Sequence, residues 1–176
     1  MSSTIDRTQP SFHAPLVSAQ VRNNFNRAAD DVEALQAIQA KSTVATVWKT
    51  ANQAVAGTVL TAVPELVQNL AAGSRYTMSA LIRWSSLGAG GITYGFTLVG
   101  AGSDVRWSDP STHPGWELAA GQTISTSASG TFQATPIGEI VTGSAIATLT
   151  LEFALNLADA NPATVLAGSW LQCTKV

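Results

Sequence analysis

The sequence predicts a mainly β fold: an N-terminal extended arm and a short amphipathic helix over residues 1–42, then an antiparallel, jelly-roll-like β-sandwich over residues 43–176. Three observations carry this. All 14 glycines fall at or after Gly57. Apolar residues recur at clear helical spacing only between about Val21 and Leu35. From about Val44 onward the apolar residues alternate with period two, in short runs separated by turn signals.

The arm comes first. Pro10 and Pro15 bracket the aperiodic stretch SFHA, and Ile5 and Phe12 are its large apolar side chains. Two prolines disfavour helix, so an extended course is expected. Fifteen extended residues reach up to roughly 50 Å, enough to leave the subunit and seat Phe12 in a neighbour's pocket.

The helix follows, with Ser18 as the candidate cap. Val21, Phe25, Ala28, Val32 and Leu35 recur at spacings of 4, 3, 4 and 3, which is an a/d seam. Arg27 and Asp31 stand i, i+4 on the outside. A seam of roughly two to three heptads needs a packing partner, because helix nucleation is costly. That partner is either the chain's own domain or further copies of the helix around a threefold axis.

The strands come next. Tyr76, Met78, Ala80, Ile82 and Trp84 share one face of RYTMSALIRW, and Arg75, Thr77, Ser79 and Arg83 the other. Ile92, Tyr94, Phe96 and Leu98 alternate with Thr93, Gly95 and Thr97, after a glycine-rich hairpin loop, SSLGAGG. Leu149, Leu151 and Phe153 alternate with Thr148, Thr150 and Glu152. ADANP is a turn, and ATVLAGSWLQCTKV closes the sequence. The stretch from Gly100 to Gly121, with Pro110 and Pro114, reads as a long surface loop.

Composition narrows the function. Charged residues are 11% of the 176, against about a quarter in an average soluble protein. Ser and Thr total 37 and supply the polar half of the pattern instead. A net charge of −2 makes no electrostatic case for nucleic acid or an anionic membrane. No apolar run reaches the roughly 18 residues of a membrane span, and MSSTIDRTQP has no apolar segment of a secretory signal. One cysteine, Cys173, cannot form an intramolecular disulfide or a Cys-based zinc site. So low a charge suits a protein whose surface is largely covered in an assembly.

The chemistry-bearing residues are few. Ser111, His113 and Asp109 could form a triad on paper, but no G-x-S-x-G elbow accompanies them. Asp104, Asp109, His113 and Glu117 match no metal-loop spacing, and Glu117, Glu139 and Glu152 read as outward strand positions. GAGG and GAGS lack the rest of a dinucleotide or P-loop fingerprint. The expectation is a protein without enzymatic activity, metal or cofactor. Tryptophan is used freely, at Trp48, Trp84, Trp107, Trp116 and Trp170. Trp107 and Trp116, in the long loop, are candidates for stacking on sugar rings; Trp84 and Trp170 read as core or interface anchors.

Residues Val21, Arg22, Asn24, Phe25, Ala28, Asp31, Val32, Leu35 and Gln36 follow a pattern V-R-x-N-F-x-x-A-x-x-D-I-x-x-L-Q, with Val32 for the usual isoleucine. With its Pro-containing arm, this stretch resembles the start of many small tailed-bacteriophage virion proteins. Thr164, Val165, Gly168, Ser169 and Trp170 look like the closing strands of phage β-domains, and LAAGSRYTMSALIRW is similar to their opening strand. The resemblance covers about half the chain and leaves Gly100 to Pro136 unmatched. It implies a homotrimeric virion component, assembled in the host cytoplasm, such as a short fibre or spike. Its arm and helix, through Phe12, Val21, Phe25, Ala28, Val32 and Leu35, would anchor it to a tail, head-tail connector or major capsid protein, with the β-domain projecting outward. A capsid decoration protein at threefold positions and a carbohydrate-binding module meeting a host-surface glycan are the alternatives.

Overall fold

The computed structural model describes residues 15–41, 43–127 and 129–176, with backbone alone for 15–20, 37–41 and 116. The arm, with Phe12, lies outside the described residues. Between Thr43 and Val44 the chain divides into a helical unit and a β unit. In the first, helix α1 spans Pro15–Lys41. It begins before the expected cap, because proline suits a first helical turn, whose N–H groups have no intrahelical acceptor. Ser18 therefore sits inside the helix.

The β unit contains β1 (Val44–Trp48), β2 (Gln53–Val55), β3 (Thr61–Leu70), β4 (Arg75–Ser86), β5 (Ile92–Val99), β6 (Asp104–Asp109) and β7 (His113–Ala119). It continues with β8 (Thr123–Thr126), β9 (Gly130–Ala134), β10 (Ile137–Val141), β11 (Ala147–Ala154), β12 (Ala163–Val165) and β13 (Trp170–Lys175). They form an antiparallel β-sandwich. The nine-stranded sheet runs β1-β13-β4-β10-β6-β7, with β12 and β9 also paired to β4 and β2 paired to β12; the four-stranded sheet runs β3-β11-β5-β8. The long β4 organises the larger sheet. Its first half pairs with β13 and β10, its second with β12 and β9.

The alternation read from the sequence is the alternation of burial. Tyr76, Met78, Ala80, Ile82 and Trp84 point into the core from β4, and Leu149, Leu151 and Phe153 from β11. Trp107, 1% exposed, meets Phe96 edge-on across the sandwich, ring centroids 5.1 Å apart at 80°. Gly138, beside Trp107 in register on β10, lets β10 and β6 approach closely there: a Cβ would run into the Arg106 carbonyl oxygen and lie 3.0 Å from the Trp107 Cα. On β3 the inward positions Val63 and Leu66 are three apart, and the register to β11 shifts there, so Pro64 falls where the ladder is already interrupted.

The stretch from Gly100 to Gly121 is not a long loop. It is the hairpin β6–β7, tightly turned at Pro110–Thr112, with a register shift between Trp107 and Asp109. The period-two signal was present in Val105, Trp107 and Asp109, all buried, but a buried aspartate and two prolines masked it.

Candidate functional site

On an ideal helix, Val21, Phe25, Ala28, Val32 and Leu35 fall within an arc of about 80°. The structure leaves that stripe uncovered. Phe25 is 61% exposed and Leu35 65%, while Val21 and Val32 are just under two-fifths exposed. The remainder of the circumference is mostly polar, with Arg22, Asn26, Arg27, Asp30 and Glu33, but also holds Ala34 and the buried Ala29. The stripe runs roughly 21 Å along the axis, from the rise of 1.5 Å per residue. Exposed apolar positions in register on one face are what a helix-helix contact requires.

The loop tryptophans do not form a sugar-stacking pair. Trp107 is buried among Tyr94 and Phe96, and its Nε1 donates to the Ala119 carbonyl at 3.3 Å. Its position on β6, with an inward side chain, rules it out; the Trp116 side chain lies outside the described residues. Trp84 is also buried and stacks on Phe132, ring centroids 4.6 Å apart. Among the described residues, the tryptophan pair that reaches the surface is Trp48 and Trp170, opposite each other on β1 and β13, with centroids 6.2 Å apart and a tilt of 51°. Trp48 is 56% exposed. Sequence reasoning missed this pair, since its members lie 122 residues apart in the chain and register alone brings them together.

Asp109 is fully buried and gathers a polar cluster. Its Oδ2 accepts from the Tyr94 hydroxyl and, at 2.8 Å, from Thr112 Oγ1. Its Oδ1 accepts from Ser111 Oγ and from the backbone N–H groups of Ser111 (3.0 Å) and Thr135 (3.3 Å). Burial pushes the carboxyl pKa up, but the hydrogen bonds from Ser111, Tyr94 and Thr112 outweigh it and hold the group below its ordinary value. The Tyr94 phenol is driven far above its ordinary value by burial and by the Asp109 carboxylate. Ser111 bonds directly to Asp109, while His113 Nδ1 lies 3.2 Å from Thr112 Oγ1. The imidazole is thus not interposed between serine and aspartate, as a triad would require. Among the described residues, no group of three or more His, Cys, Asp or Glu side chains is placed to hold a metal ion.

A second polar link joins the end of β1 to β3. Lys49, itself buried, reaches Glu65 at 3.1 Å, and the Thr50 hydroxyl and N–H donate to the same carboxylate. Hydrogen bonds from Thr50 and Lys49 hold the Glu65 pKa at about 2. Burial pushes the Cys173 thiol up to about 12, away from the reactive thiolate.

The outer face of the larger sheet carries a groove of about 670 Å³, lined among others by Thr77, Arg106, Ser108, Ile137 and Glu139. Arg106 pairs with Asp104 at 3.0 Å beside it. Neither the protein-family models nor the curated proteins searched give a match to this chain.

Proposed function

We propose that the chain is a non-enzymatic structural component of a tailed-bacteriophage virion: a homotrimeric short fibre or spike, attached through its arm and helix to the tail or head-tail region, with the β-domain projecting. The observation that carries the reading is the uncovered stripe of α1, with Phe25 and Leu35 each more than three-fifths exposed in one chain. A 27-residue helix with a narrow apolar seam is poorly stable alone and gains its stability from like helices. The low charge and the resemblance of the N-terminal pattern agree with this. The β unit supplies its own core, whose members lie between Val47 and Cys173 and include no residue of the helix.

Sedimentation velocity on the full chain tests the oligomer. A stable monomer at micromolar concentration overturns it. Capsid decoration is the second reading, favoured because β1 begins three residues after α1 ends, so no shaft stands between them. Copy number per particle separates the two: hundreds of copies mean decoration, a dozen or two mean fibre.

A further inference from the structure

We propose that the outer face of the larger sheet is a glycan-binding surface, with Trp48 and Trp170 as its stacking platform and a neutral pyranose oligosaccharide as its ligand. The two indoles stand opposite each other in register at one end of this face, and Leu81 on β4 is the next residue in the row. Tilted by 51° with centroids 6.2 Å apart, they pack against each other and form one apolar platform, the kind on which the C–H face of a sugar ring stacks. Two residues along each strand, on the same face, the next row is Thr46, Gln172 and Ser79.

That row is hydrogen-bonded but not saturated. Gln172 Nε2 donates to Thr46 Oγ1 at 3.0 Å, and Ser79 Oγ lies 3.4 Å from Gln172 Oε1. The Thr46 hydroxyl keeps its own proton, and the amide keeps a second N–H and a second lone pair. The side chains are held in place by one another, and all three residues are partly exposed. An apolar platform flanked by pre-ordered neutral donors and acceptors is the complement of a sugar, which offers C–H faces and hydroxyl edges. The six side chains of these two rows carry no formal charge, which matches an uncharged ligand at the platform itself.

The face then continues. Ser79 pairs with Ile137 of β10, which borders the 670 Å³ groove holding Thr77, Glu139 and Arg106. A groove of this size accommodates a small ligand. An oligosaccharide crossing the strands from the platform would end in it. This site stands on the β unit and goes beyond the virion reading, so its failure leaves the trimer test untouched, and the reverse.

The test is isothermal titration of the full chain with four neutral probes, the tetrasaccharides of cellulose, chitin, maltose and mannan, and with a heparin tetrasaccharide as the charged control. At least one neutral probe is expected to bind. Trp48→Ala and Trp170→Ala should each weaken it roughly tenfold or more, and Gln172→Ala by a few-fold. The heparin probe should not bind. The proposal is overturned if no neutral probe binds up to about 10 mM, if binding survives both tryptophan variants, or if heparin binds more tightly. Loss of oligomer mass in the tryptophan variants, without any glycan binding in the parent, would also overturn it and mark the face as an interface between copies.

Discussion

Tyr94, on β5 of the smaller sheet, donates its hydroxyl hydrogen to Asp109, at the end of β6 in the larger one, and so ties the two layers of the sandwich together in the core. The same carboxylate stops the β6–β7 turn by taking Ser111 and Thr112, and holds Thr135 just before β10. A buried charge is tolerated here because five donors surround it.

Asp109→Ala should therefore be among the more damaging single changes in the β unit. It strands buried hydroxyl and N–H donors at once, and a loss of about 3 kcal/mol is expected in urea denaturation followed by intrinsic fluorescence. Tyr94→Phe removes one donor and should cost about 1–2 kcal/mol. The double variant should lose less than the sum, because both changes remove the same bond. Strict additivity would show that the contact contributes no stability.

Acid should loosen the β unit through two carboxylates. Asp109 and Glu65 both titrate below their ordinary values in the folded chain. The unfolded chain thus binds more protons over that interval, and stability falls as pH drops. For Glu65 the contribution is full above its ordinary value of 4.5 and is lost towards about 2. Glu65→Gln should flatten the stability-against-pH curve between those limits, while leaving the slope above pH 5 as in the parent.

Gly138→Ala tests the packing of Trp107. The added methyl would meet the Arg106 carbonyl and the Trp107 backbone, so β10 or β6 must shift. Overpacking of this kind costs about 1–3 kcal/mol. Near-UV circular dichroism should report the change in the tryptophan environment. An unchanged spectrum with unchanged stability would mean that the strand spacing adjusts freely.

The fold was largely legible because period two is a local signal. Met78, Ile82, Leu149 and Phe153 declare their faces without reference to any partner. What escaped was nonlocal. Asp109 reads as a loop residue until Tyr94, fifteen positions earlier, is seen to reach it. Trp107 reads as a surface aromatic because Pro110 and Pro114 follow it closely, yet both prolines sit at or after the hairpin turn. Trp48 and Trp170 become a pair only through the β1–β13 register, which no short window contains. The helix seam was the opposite case. Its positions follow from spacing alone, but spacing cannot say what covers them.

Phe25→Asp decides what covers them. In a single chain Phe25 is 61% exposed, so aspartate there disturbs no packing, and the two residues differ little in helix propensity. Assembly changes that. Three carboxylates brought to one seam would each lose solvent without a partner and repel one another, at a cost of several kcal/mol. The expected result is a sedimenting mass that falls from trimer to monomer, with the β signal in far-UV circular dichroism intact, because the β core draws on residues from Val47 to Cys173. Asn26→Asp places the same charge about 100° around the helix and should leave the trimer whole. A Phe25→Asp chain that stays trimeric places the contact elsewhere, and equal disruption by Asn26→Asp would trace the effect to charge on the helix rather than to the seam.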